Sequence, residues 1–178
     1  DSTSRLSLGG SEYLATIHGT VAGKPPVVDF ELERRVQGVV RDGIRRGWVR
    51  SAHDCAEGGI AVALAESCIA GQLGAEINLG LTSESLGHRW DEVLWGESAS
   101  RIVVSVAQEQ EANWEAYLQA QFGQDAQENA FYWQRLGLVK SKNTGFRIST
   151  GDNQLTINAT IADMSDRFST AIPRRLTV

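Results

Sequence analysis

The apolar positions change period several times along the chain, and each change predicts an element. Ser11-Glu12-Tyr13-Leu14 opens a short helix, with Ser11 placed to cap it and Glu12 at the positive end of its dipole. That helix ends by Gly19, and Gly23-Lys24-Pro25-Pro26 breaks the chain. Asp29 reads as the next N-cap. Leu32, Val36, Val39 and Gly43 or Ile44 then recur at helical spacing, with Arg34, Arg35, Arg41, Arg45 and Arg46 mostly on the other faces and Gly47 as the stop. The five arginines fit a solvated helix face better than an anion site. Trp48 to Ala52 predicts a short strand, and His53 to Gly59 a polar, glycine-containing loop. A second long helix follows over 60–70, with Ile60, Leu64 and Cys68 on one stripe and small Ala61 and Ala65 beside it.

The second half reads differently. Residues 74–79 alternate as a strand does, 80–87 form a loop, and 89–95 fit a short amphipathic helix. The β-branched run Ile102-Val103-Val104 predicts the strongest strand, over 100–106. A polar helix over 108–121 is anchored by Trp114, Tyr117, Leu118 and Phe122. Strands are expected at 132–139, 145–150 and 154–157, the last two joined through Gly151-Asp152-Asn153. A final helix starts near Thr160 or Ala162, and Pro173 is expected to interrupt it. Helices and strands alternate early and hairpin-joined strands come late. The expected class is therefore α+β, a mixed sheet covered by helices in a single domain over residues 1–178.

Composition narrows the functional classes. The chain has 178 residues, 42% hydrophobic and 22% charged, which excludes a disordered or fibrous protein. Seventeen Lys plus Arg against 22 Asp plus Glu give a net charge of −5, so no global basic field draws in nucleic acid or anionic lipid. No apolar run reaches the length of a bilayer span. Cys55 and Cys68 sit in no metal-ligand spacing and read as reduced, buried thiols. The chain opens at Asp1 rather than Met, consistent with a piece of a longer protein. Such a piece is expected to expose apolar surface, although the five tryptophans belong mainly to the core.

Three polar spots carry the candidate chemistry. In the first, Gly9 and Gly10 let the backbone approach a ligand closely, and Ser11 begins a helix whose first N–H groups suit a phosphate. The second runs from His53 to Gly59 between a strand and a helix. There His53 can carry a proton or donate a hydrogen bond, and Asp54 and Glu57 can orient it or hold magnesium. The bland alternative is that Asp54 caps the following turn and His53 bonds the backbone. Gly58 and Gly59 have neither phosphate-loop nor dinucleotide-fingerprint spacing. The third is Gly96-Glu97-Ser98-Ala99-Ser100-Arg101, where the simplest expectation is that Glu97 pairs with Arg101. No nucleophilic triad or paired-carboxylate pattern can be assigned, so no catalytic residue and no metal ligand is named.

At these three spots the chain resembles a known family. Leu-Gly-Gly-Ser-Glu-Tyr-Leu (8–14), Ser-Ala-His-Asp-Cys-Ala-Glu-Gly-Gly-Ile-Ala-Val-Ala-Leu-Ala-Glu (51–66) and Trp-Gly-Glu-Ser-Ala-Ser-Arg-Ile-Val-Val-Ser (95–105) are similar, in order and spacing, to the C-terminal part of phosphoribosylformylglycinamidine synthase. The form resembled is the synthetase subunit of the small, multi-subunit enzyme, and the likeness covers most of residues 6–106 and the Pro-Arg-Arg-Leu of the final helix. Trp95 stands where many relatives have Phe. The resemblance implies the C-terminal type of domain found in aminoimidazole ribonucleotide synthetase, a three-layer α/β/α unit with a mixed, largely antiparallel sheet. It also implies a part in purine biosynthesis: an ATP- and magnesium-dependent ligase that joins glutamine-derived ammonia to formylglycinamide ribonucleotide. Implied partners are the remaining domains of the same synthetase chain, a glutaminase subunit and a small bridging subunit, in the cytoplasm. The full subunit carries its domain pair twice, and this chain resembles the second C-terminal copy. The family's catalytic histidines have no counterpart here, so the isolated piece is expected to be inactive. Gly9, Gly10, Ser11, His53, Asp54, Glu57, Gly58, Gly59, Glu97 and Arg101 are the positions expected around a nucleotide- or phosphate-binding cleft. The alternative is a non-catalytic scaffold or nucleotide-binding module.

Overall fold

A computed structural model describes residues 7–80, 89–123, 133–151 and 156–176. The backbone divides into two compact units, 1–63 with 90–135 and 64–89 with 136–178, and the division falls inside one helix.

The first unit begins with α1 (Glu12–His18), capped by Ser11, and α2 (Phe30–Arg45). Asp29 caps α2 as its position predicts, accepting from the N–H groups of Glu31 and Leu32 at 3.1 and 3.0 Å. Strand β1 (Val49–Asp54) pairs antiparallel with β3 (Ile102–Val106), so that His53 faces Val103 and Asp54 faces Ile102. The predicted loop therefore starts two residues late: His53 and Asp54 finish a strand because the β-branched run opposite offers a ladder to extend. Helix α3 (Gly59–Gly71) starts in this unit, and α4 (Trp90–Trp95) and α5 (Glu111–Phe122) complete it.

The core of this unit joins Val39 of α2, Val49 of β1 and Trp114, Leu118 and Phe122 of α5, with Trp48, Val104, Val106 and Tyr117 packed against it. Trp114 lies so close to Gly43 that a Cβ there would stand 2.4 Å from its ring. The basic face of α2 is less purely solvated than expected. Arg46 lies 4.9 Å from the Trp48 ring centre and 5.4 Å from that of Tyr117, and Arg35 lies 4.7 Å from that of Phe122. Their aliphatic stems and flat guanidinium groups cover aromatic surface, and the Arg35 guanidinium also donates to the Gln121 carbonyl.

The second unit holds the rest of α3 and a four-stranded sheet of order β4-β2-β5-β6, built from β2 (Gly74–Asn78), β4 (Gly137–Lys140), β5 (Phe146–Ser149) and β6 (Thr156–Ala159). β2 pairs antiparallel with β4 and parallel with β5, and β5 pairs antiparallel with β6. Ala75, Ile77, Phe146 and Ile148 are buried at alternate positions of adjacent strands, which fixes the register. The expected α+β class with mixed, largely antiparallel pairing is what the chain adopts. Its described strands form two sheets, one in each unit. Asp152 and Asn153 of the predicted hairpin turn, Gln154 and Leu155 of its second strand, and Tyr132 lie outside the described residues.

Helix α6 (Ile161–Leu176) runs through Pro173 instead of breaking there. Only three helical residues follow the proline, so the bond it removes belongs to a helix end that is weakly held anyway. None of the five tryptophans is exposed. Val21, Val27 and Phe30 in the first unit and Phe168, Ile172 and Leu176 in the second do expose apolar surface.

Candidate functional site

Within the first unit, the three polar spots meet at one carboxylate. Glu97 Oε1 accepts the backbone N–H of Glu12 at 2.8 Å and the backbone N–H of Gly58 at 2.8 Å. The first is the opening N–H of α1, and the second lies just ahead of α3. Both belong to turns that leave N–H groups without an internal partner. A negative group there gains from two charge-assisted bonds and from the dipole of the helix behind each. The geometry expected to attract an anion is therefore present, and a side chain of the same molecule fills it.

The glycines make this approach possible. Gly59 has φ +65°, and a Cβ on it would lie 2.7 Å from the carbonyl oxygens of both Leu94 and Gly96. The start of α3 thus rests directly on the end of α4. Ser11 is buried, donates from Oγ to the Leu8 carbonyl at 2.7 Å and accepts the Leu14 N–H at 3.4 Å. Tyr13 stacks on Trp95 with ring centres 5.0 Å apart and planes 12° from parallel, so α1 is also tied to α4 through aromatic faces. The stack is a contact the sequence reading missed, although an aromatic residue two positions past the cap and another beside the Gly-Glu pair were its signal.

The expected pairing of Glu97 with Arg101 does not form. The Arg101 guanidinium instead donates to the carbonyls of Gly96 and Val93, at 3.1 and 3.2 Å, where α4 ends. A cation at a helix C-terminus satisfies its open carbonyls and its dipole together. Burial pushes the Arg101 pKa down from its ordinary value, which leaves the residue cationic in any neutral buffer. Burial is also the main reason the Cys55 thiol is pushed up, partly offset by the charge of Arg101, so Cys55 is a protonated packing residue.

His53 Nδ1 bonds the Asp54 carbonyl at 2.7 Å, as the bland reading expected, and lies 3.7 Å from the Asp54 carboxylate. Asp54 does not cap the following turn, because its carboxylate accepts no backbone N–H among the described residues. The strand carries it into solvent instead. Glu57 and Gly10 are exposed as well. The junction thus gathers Ser11, Gly58, Gly59, Glu97 and Arg101, with His53, Asp54, Glu57 and Gly10 at its margin, whereas Gly9 packs against the backbone of Lys24. No group of three His, Cys, Asp or Glu side chains among the described residues can hold a metal ion.

Ser100 extends the junction toward α2. It is a non-glycine residue at φ +64°, and its Oγ donates to Glu33 Oε2 at 2.7 Å. That bond, with a second from Gln37, holds the Glu33 carboxyl below its ordinary value. Ser100→Ala should cost about 1 kcal/mol at neutral pH by urea titration. A lowered carboxyl pKa stabilises the fold above the ordinary carboxyl range and ceases to do so as pH falls through the lowered value. The gap between variant and wild type should therefore close in acid. A gap independent of pH would remove the Glu33 link from the account.

The fold and the three-loop junction define a class. A family model described as "AIR synthase related protein, C-terminal domain" matches residues 2–128, and the chain belongs to that family. Its relatives are more particular. The chain is 59% identical over 173 residues to the phosphoribosylformylglycinamidine synthase subunit PurL of Nostoc punctiforme, covering 97% of this chain and 21% of that one. It is 52% identical over 172 residues to the same subunit of Synechococcus elongatus, again covering 97% and 21%. The chain therefore spans about a fifth of the length of the curated relatives it matches. Among solved structures, Thermotoga maritima PurL complexed with ADP superposes with a TM-score of 0.61 at 15% identity, over 88% of this chain and 23% of that one. PurLQS from the same organism gives 0.59 at 17%, over 88% and 25%. At such identities the solved structures speak for the fold alone.

Proposed function

We propose that the chain is the second C-terminal domain of the synthetase subunit of a phosphoribosylformylglycinamidine synthase, and that its two units serve as one domain of that longer chain. Supporting this are the family membership and the high identity to PurL subunits over nearly all of the chain. The assembled enzyme would convert formylglycinamide ribonucleotide, ATP and ammonia to formylglycinamidine ribonucleotide, ADP and phosphate. It would work in the cytoplasm with a glutaminase subunit and a small bridging subunit. No helix among the described residues is long and apolar enough to cross a membrane.

Within that enzyme, the scaffold role is favoured over a nucleotide-binding one by a single observation: Glu97 already accepts both N–H groups that a phosphate would use. Arg101 is likewise committed to carbonyl oxygens. The residues present do not fit ATP or magnesium at the junction. What the chain's own groups do is hold three turns in register, so that the first unit offers a rigid wall to neighbouring domains.

Two measurements test this. This segment, exchanged for its counterpart in the Nostoc punctiforme subunit, should support formylglycinamidine ribonucleotide formation with ammonia as the nitrogen source. A folded chimera without activity would reject the assignment. Calorimetric titration of the 178-residue chain with ADP and magnesium should show no saturable binding that His53→Ala removes. Binding abolished by that substitution would restore the nucleotide reading.

A further inference from the structure

The four-stranded unit carries a polar feature separate from the three-loop junction. The turn at Lys142–Thr144, strands β5 and β6 and the residues leading into α6 border an open groove of about 450 Å³. Among the described residues, its polar lining is Lys142, Asn143, Thr144, Arg147, Asn158 and Thr160, with no acidic side chain. Lys142 Nζ donates to Gln72 Oε1 at 2.6 Å, so a neutral amide positions the ammonium and leaves its charge uncancelled. Arg147 has only a 3.9 Å approach to Glu76, a carboxylate that lies closer, at 3.3 Å, to Lys140. Asp163, at the start of α6, accepts from the Thr160 hydroxyl at 2.7 Å and is thereby engaged. The side-chain amides of Asn143 and Asn158 bond no described residue.

Two cations and two unengaged amides thus border one concavity in a chain whose net charge is −5. Such a lining suits an oxyanion: the guanidinium can grip two oxygens at once, the ammonium supplies a point charge, and the amides add directional donors. We propose that this groove binds a small phosphorylated anion, a phosphate monoester or diphosphate. The inference is independent of the enzyme assignment, because no residue of the junction takes part in it.

The probe is inorganic pyrophosphate, titrated calorimetrically into the 178-residue chain at low ionic strength and again with added salt. One saturable site is expected, weakened by salt because both cations are exposed. Arg147→Gln and Lys142→Gln should each weaken it about tenfold, and the double variant should lose it. Asn158→Asp, which sets a carboxylate in the groove, should abolish binding while leaving the thermal midpoint close to that of the wild type. Arg50→Gln, in the first unit, should change nothing. Absence of binding, binding that survives in the double variant, or equal loss in Arg50→Gln would each overturn the proposal.

Discussion

Glu97→Ala will lower the thermal midpoint of the chain by roughly 6–12 °C, from the loss of about 3 kcal/mol. Two backbone N–H groups, of Glu12 and Gly58, donate to one oxygen of this side chain. Removing it leaves both donors without their anionic partner and two helix starts without a countercharge. Glu97→Gln keeps an acceptor oxygen but not the charge, so it should lose about half as much. The ordering Ala below Gln below wild type is the part that matters, since a residue that merely filled space would make Gln equal to wild type. Scanning calorimetry of the three proteins at neutral pH reads it directly.

Gly59→Ala will cost at least as much, about 3 kcal/mol, by a different route. Its φ of +65° strains any L side chain, and the added methyl would stand 2.7 Å from two carbonyl oxygens of the main chain, at Leu94 and Gly96. Those oxygens belong to the end of a helix and cannot swing aside as a flexible side chain would. Gly10→Ala is the control. Gly10 has nearly the same conformation, φ +73°, but a Cβ there meets nothing within 4 Å, so only the strain of about 1 kcal/mol should appear. Denaturant titration separates the two. Equal losses would mean that backbone strain, and not the contact between the start of α3 and the end of α4, decides the cost.

Much of this architecture was legible in the residues. Asp29 and Ser11 announced their helices because a short polar side chain before an amphipathic run has one obvious use, and the β-branched run at Ile102 could only be a strand. The three motifs singled out in the sequence meet at Glu97 in the structure. What could not be read was how their polar groups would be spent. Glu97 and Arg101 are four residues apart and of opposite charge, so pairing was the natural expectation. The turn between Glu97 and Arg101 instead sends the carboxylate to two distant N–H groups and the guanidinium to the end of α4. That choice depends on contacts 85 and 39 residues away in sequence, where no local rule reaches. The end of β1 was missed for a similar reason: His53 and Asp54 look like loop residues, and only the partner strand makes them extended.

The same contrast separates the features that mark the family from the one that decides the chemistry of the junction. Glycine spacing and helix caps report on backbone geometry, and geometry is what related chains share. Whether a set of N–H groups meets a ligand or an internal carboxylate depends on one side chain, and here that side chain is Glu97.

Amide hydrogen exchange at Glu12 and Gly58, followed by NMR in the wild type and in Glu97→Gln, tests the account most directly. Both amides should be protected in the wild type, and both should lose protection together in the variant while the amides of α2 keep theirs. Free exchange of either amide in the wild type, or protection unchanged by the substitution, would contradict the claim that one carboxylate holds the three turns.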